Sequence, residues 1–265
     1  MQNVASFYDQ NVEREWTRLD RHPVEFALTK RYLDRYITQR SRILDVGGGP
    51  GKYAFYLKAQ GHQVNLLDLS AANINYAKTK AKELQLELDD YRQANALDLG
   101  FIPDECFDVV LALGPLYHLT ETQNQIRAID ECLRVLKPNG LIFVAFITRF
   151  AQLITLIDRT PEKIGEWRAY FEAVIATGLN RGDVDSGFTD AYFFDPKEIA
   201  DFMNRFPTRK IALAGTDGLF AQSESKLLGL DPATLATWID FADRLAEHPS
   251  LLGASQHALY IGVKK

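Results

Sequence analysis

The stretch DVGGGPGKY, Asp45–Tyr53, sets four glycines and a proline directly behind the apolar run RILDV. Such loops either cradle phosphates or let a ligand approach the backbone, because glycine has no side chain and tolerates positive φ. Spacing separates the two uses. A dinucleotide fingerprint needs G-x-G-x-x-G, and counted from Gly47 its third glycine is replaced by Lys52. A P-loop needs glycine and Ser or Thr where Val46 and Tyr53 stand. What remains is D-x-G-x-G-x-G, running from Asp45 through Gly47, Gly49 and Gly51. A second acid, Asp68, closes the run NLLD. In doubly wound folds an acid about 20 residues beyond the loop takes the two hydroxyls of a ribose. Its bland alternative is a turn aspartate at a helix start, but beside the loop it implies an adenosine ligand.

His118, in GPLYHL, has the residue type for proton abstraction near neutral pH. The competing reading is a structural histidine that positions the next helix, and Tyr117 carries the same two readings. Cys106 and Cys132 fall in patterns typical of packed residues rather than nucleophiles. His22, His62, His118, His248 and His257 lack metal-ligand spacing with cysteines or carboxylates, so no metal is expected.

These residues need strands that end beside one another. RILDV, HQVNLLDLS, a weaker YRQANALDL, CFDVVLALG and LIFVAFI read as five strands. KYAFYLKAQ, AANINYAKTKAKELQL and ECLRVLKPNG read as the helices between them, with Gly61 ending the first, Ser70 capping the second and Pro-Asn-Gly stopping the third. The alternation implies a parallel sheet covered on both faces, with ligands at the carboxyl ends of its strands. Val4–Ile37 reads as an amphipathic helical prelude.

Bulk properties narrow the partners. At 265 residues and 46% hydrophobic content the chain suits one core. A net charge of −5 with no polybasic run argues against nucleic acid. The opening residues lack the apolar core of a signal peptide, and Leu141–Ile157 is short of a membrane span and carries Arg149. Two cysteines suit a reducing compartment. The expectation is a cytoplasmic protein without a membrane segment.

Taken in order, ILDVGGGPGKY, the acid of NLLDLS, FDVVLALGPLYHL and RVLKPNGLIFVAF resemble the class I S-adenosylmethionine-dependent methyltransferases, especially the group acting on small molecules. The resemblance covers Ser41–Phe146 and extends loosely to Lys265. It implies an α/β, Rossmann-like doubly wound sheet of seven strands, mostly parallel, with the last strand, HALYIGVKK, inserted antiparallel beside the fifth. By that resemblance the cofactor is S-adenosyl-L-methionine. Asp45 and the backbone of Gly47, Gly48, Gly49 and Gly51 surround its methionine portion, Asp68 takes the ribose hydroxyls, and Leu69 packs on the adenine. Asn95 and Ala96 occupy the region where relatives carry an acid for the adenine amine, and the Asn95 amide can both accept and donate there. Leu113 and Gly114 match the strand end that faces the sulfonium.

One domain is expected over 1–265, made of a helical cap (1–40), a cofactor-binding core (41–148), a helical lid insertion (149–206) and the C-terminal part of the sheet (207–265). The lid carries Trp167, Tyr170 and Tyr192 as candidates for lining an acceptor pocket, against the plainer reading that they are its own packing. Its GLNRGDVDSGFTD link, with Arg181 and Asp183, reads alternatively as a gate. In the cap, His22 and Arg31 are candidates for a polar or acidic group, against the usual reading as surface charges. The absence of an Asn-Pro-Pro-Tyr or Asp-Pro-Pro-Tyr motif at Leu113–Leu116 removes that family's amino methylation. The leading expectation is methyl transfer to a small-molecule acceptor at oxygen, nitrogen or sulfur, with no nucleic acid and no membrane partner. A non-catalytic nucleoside-binding protein and an RNA or protein methyltransferase are the alternatives.

Overall fold

The computed structural model describes residues 2–181 and 188–265. Asp183 lies outside them. Seven strands form one sheet: β1 Arg42–Val46, β2 Gln63–Asp68, β3 Asp90–Gln93, β4 Phe107–Ala112, β5 Leu136–Ile147, β6 Thr208–Gly215 and β7 His257–Lys264. Their spatial order is β3-β2-β1-β4-β5-β7-β6. β1 to β5 are parallel, and β7 runs antiparallel to both β5 and β6. The order reverses between β1 and β4, so a crevice opens where Asp45 and Leu113 leave the sheet.

Period-two alternation divides the strand residues between two cores. Ile43, Leu66, Leu111 and Phe143 pack on one face with Leu28 and Leu33 of α3 (Pro23–Tyr36), Phe55 of α4 (Lys52–Ala59), Ala77 of α5 (Ala71–Leu84) and Ala242 of a late helix, Pro232–Leu245. Leu44, Leu67, Val110 and Ile142 pack on the other with Ile129 and Leu133 of the helix Thr122–Val135. The central strands β1, β2, β4 and β5 are buried on both sides, as a parallel sheet requires, while the edge strand β3 has no fully buried residue.

Three expectations need correction. The helix ends at Val135, and Leu136 passes straight into β5. Pro138-Asn139-Gly140 is instead a kink inside that strand, with Asn139 at φ 61° and the β4–β5 register shifting from Phe107↔Leu136 to Val109↔Leu141. The third strand stops at Gln93: the Ala94 N–H makes the last ladder bond, to the Asp68 carbonyl at 2.9 Å, and the chain then turns, with the Asp98 N–H donating to the Asn95 carbonyl at 2.9 Å. The insertion, expected as a lid, packs its last helix, Pro196–Met203, on the sheet, burying Ile199, Phe202 and Met203 in the second core. The helical prelude is present in four pieces, α1 (Gln2–Gln10), α2 (Val12–Trp16), a 3-10 turn at Arg18–Asp20, and α3.

Candidate functional site

A cavity lies at the carboxyl ends of β1, β2 and β4. Asp45 lines it, 1% exposed, and neither of its carboxylate oxygens has a hydrogen-bond partner among the described residues. Burial, and then the negative charge of Asp68, push its carboxyl up from 3.8 to about 7. A buried acid without a donor is costly, and it marks the place where a cation or N–H donor belongs. The glycine turn wraps closely around it. A Cβ on Gly48 would overlap the Asp45 carboxylate and stand 2.6 Å from Leu66 Cδ1, so no other residue fits there without moving the acid. The Gly47 and Gly48 N–H groups donate to the Leu67 carbonyl at 2.8 and 3.1 Å, which ties the turn to the end of β2.

Asp68 is a strut as well as a ligand candidate. Its Oδ2 accepts from the Gly49 N–H at 2.8 Å, and its Oδ1 accepts from the Ser70 N–H at 2.8 Å and from Asn73 Nδ2 at 3.1 Å. Burial raises this carboxyl, and those three donors offset part of the rise. Ser70 caps α5, accepting from the Asn73 N–H at 3.0 Å. Leu69, Asn95, Ala96, Leu113 and Gly114 line the same cavity. Asn95 Oδ1 already accepts from the Leu97 N–H at 3.0 Å, which leaves the amide NH2 as its main resource for a ring nitrogen. Asn73 was not anticipated. It lines the cavity with its Oδ1 unpartnered among the described residues, and its signal was its place three residues after a capping serine.

The roof comes from the N-terminal segment, through Val4, Tyr8, Glu15, Arg18 and Leu19. Two bonds latch α1 down. Ser70 Oγ donates to Asp9 Oδ1 at 2.5 Å, and the Tyr8 hydroxyl meets His118 Nε2 at 2.7 Å. Arg18 is held by a two-pronged pair with Glu25, both contacts 2.8 Å, and its Nε lies 3.4 Å from Glu15. None of this segment's lining residues was a sequence candidate.

His22 and Arg31, expected at the entrance, lie elsewhere. His22 Nδ1 meets Glu224 at 2.6 Å, and Arg31 reaches Asp240 at 2.5 Å. Trp167, Tyr170 and Tyr192 do not line the cavity either. Trp167 packs against Tyr170 and Phe171, the Tyr170 hydroxyl donates to Asn180 at 2.5 Å, and Tyr192 sits edge-on to Phe194. The plainer reading of these aromatics, mutual packing, describes them. Among its described residues, the insertion reaches His118 through the Phe188 ring, whose centroid lies 5.3 Å from that of the imidazole, and through the Asp190 carbonyl.

His118 and Tyr117 both line the cavity. Burial drives His118 down to about 4, so the imidazole is neutral at pH 7. Its Nδ1 lies 3.1 Å from the Asp190 carbonyl, an acceptor, so the proton is on Nδ1 and the Nε2 lone pair takes the Tyr8 hydroxyl. In this arrangement the ring orients Tyr8. Burial raises the Tyr117 hydroxyl, and Tyr53, the third tyrosine on this side, is raised for the same reason.

An unpaired acid at the end of β1, an acid at the end of β2 and a glycine turn pressed on both fit an adenosine that carries an ammonium-bearing tail. Residues 44–144 match the model of a methyltransferase domain family. The ubiquinone biosynthesis O-methyltransferase of Stutzerimonas stutzeri is 32% identical over 123 residues, 46% of this chain and 51% of that protein. The chain therefore spans about half the length of the curated relatives it matches. The Burkholderia thailandensis 1,6-didemethyltoxoflavin-N1-methyltransferase, crystallised with 1,6-didemethyltoxoflavin and S-adenosylhomocysteine, aligns over 100% of this chain and 88% of its own at TM-score 0.62 and 12% identity. A SAM-dependent methyltransferase of Thermotoga maritima aligns over 98% and 99% at TM-score 0.58 and 18% identity. At those identities the structural likeness speaks for the fold.

Proposed function

We propose that the chain, whose residues 44–144 match a methyltransferase domain family, is a class I S-adenosylmethionine-dependent methyltransferase that transfers a methyl group to a small-molecule acceptor enclosed beneath the N-terminal helices. The observation that carries this reading is the roofed cavity, lined by Asp45, whose oxygens have no partner among the described residues, and by Tyr8, Tyr53 and Tyr117. A macromolecular acceptor would need an open cleft. The net charge of −5 also disfavours RNA.

When bound, S-adenosylmethionine supplies a methyl already activated by its sulfonium. Asp45 would then hold the ammonium, Asp68 the ribose hydroxyls, and Leu69 and Ala96 the adenine faces. Leu113 and Gly114 border the methionine side. The chain's remaining task is to align the acceptor and exclude water, and Val4, Leu19 and the three tyrosines present the surface for both. His118 keeps the Tyr8 hydroxyl aimed, with its own basic nitrogen engaged. An acceptor that arrives already nucleophilic suits this wall better than one that must be deprotonated.

The test is incubation with methyl-labelled S-adenosylmethionine and a cell metabolite extract, followed by fractionation. Label in a small-molecule fraction is the expected result. Label confined to macromolecules would overturn the reading. Binding without transfer would favour a non-catalytic nucleoside-binding role.

A further inference from the structure

Behind the roof lies a buried charged chain that the reaction does not use directly. Glu25, 6% exposed, gives both oxygens to Arg18. On its far side Glu25 Oε2 stands 3.6 Å from His257 Nδ1, which in turn lies 2.9 Å from Asp217 Oδ2. Asp217, 2% exposed, is fixed by backbone N–H groups of Gln256 and His257 at 2.9 and 3.2 Å and by the Ser255 hydroxyl. The four residues come from the N-terminal turn, α3, the exit of β6 and the start of β7. They lead from the far edge of the sheet to the cavity wall.

The end that matters is Arg18. A two-pronged pair with Glu25 engages one N–H on each terminal nitrogen and leaves one over on each, besides Nε–H, which faces Glu15 at 3.4 Å. Arg18, Asp45 and Tyr53 line the same cavity. A guanidinium with spare donors and a carboxylate without a hydrogen-bond partner among the described residues, both lining one cavity, complement a zwitterion: carboxylate toward Arg18, ammonium toward Asp45. Burial alone would raise the Glu25 carboxyl, but Arg18 and His257 outweigh it and hold it at about 2. His257 is likewise raised against its burial, by Glu25 and Asp217.

We propose that Glu25, backed by His257 and Asp217, is a positioning residue that holds Arg18 against the carboxylate of the cofactor's amino-acid end. This rests on the reading that the cavity holds S-adenosylmethionine. The experiment titrates S-adenosylhomocysteine and 5′-methylthioadenosine, which lacks the amino-acid end, by calorimetry into the wild-type protein and into Glu25→Gln, Arg18→Gln and the double variant. Loss of a charge-assisted contact predicts about 10-fold weaker S-adenosylhomocysteine binding in each single variant. Methylthioadenosine binding stays within about 2-fold, and Glu25→Gln costs nothing further once Arg18 is gone. His257→Gln, one contact further back and a second variant should Glu25→Gln fail to fold, is expected to show a smaller loss selective for the same ligand. Equal weakening of both ligands, or additive losses in the double variant, would overturn the positioning role while leaving the cofactor reading intact. Failure of both ligands to bind the wild-type protein would overturn that reading and the proposal together.

Discussion

Replacing Asp45 with asparagine is expected to make the ligand-free protein less sensitive to alkaline pH while abolishing its cofactor binding. Asp45 is buried, unpaired and raised from 3.8 to about 7. A carboxyl whose folded pKa exceeds its unfolded one binds its proton more tightly when folded. Its contribution to stability is therefore complete below the unfolded value and is lost as pH rises through about 7. Integrating between pH 5 and pH 8 gives a loss of about 2.5 kcal/mol attributable to this one group. Asparagine has no proton to lose. Urea unfolding of both proteins at pH 5, 6.5 and 8 reads the difference, because the other titrating groups cancel in the comparison. The variant should gain about 2.5 kcal/mol relative to wild type between pH 5 and pH 8. Parallel pH profiles would refute the claim that Asp45 is a destabilised acid awaiting a cation. Saturating S-adenosylhomocysteine should stabilise the wild-type protein at pH 8 and leave the variant unmoved.

Gly48→Ala forces the Asp45 carboxylate aside and should destabilise by about 1–3 kcal/mol, with loss of S-adenosylhomocysteine binding by calorimetry. Asp68→Asn places an amide against the N–H donors of Gly49, Ser70 and Asn73; unfolding at neutral pH should show a loss of about 1–3 kcal/mol. His118, lowered to about 4, is neutral in the fold but charges in the unfolded chain below about 6.5. Its stabilisation is present above that value and is lost as pH falls from 6.5 to 4, a drop of roughly 3 kcal/mol that His118→Gln should remove from the acid limb of a thermal-melt series. Tyr8→Phe strips the donor from His118 Nε2 and should cost about 1–2 kcal/mol in the same assay at pH 8.

How much was legible depended on how local the signal was. Asp45, the glycines, Asp68 and Ser70 act on neighbours within a few residues or across one βα unit, so spacing alone located them in a strand-turn-helix frame. The sheet followed from repeated short apolar runs, and its antiparallel strand came from the resemblance. The roof was opaque because its partners are distant. His22 answers to Glu224, 202 residues away, and Tyr8 to His118, 110 residues away. An isolated Arg18 in a charged prelude carries no mark of the glutamate that will orient it. Aromatic richness in the insertion was a true signal of burial, but Trp167, Tyr170 and Tyr192 spend it on one another and on Phe171 and Phe194.

The most direct test is a crystal structure of the protein grown with S-adenosylhomocysteine. The ligand's ammonium should lie within hydrogen-bond distance of Asp45, its ribose hydroxyls at Asp68, and its thioether facing Tyr8, Tyr53 and Tyr117 beneath the N-terminal helices. A ligand bound elsewhere, or one in this cavity with Asp45 still unpaired, would contradict the account.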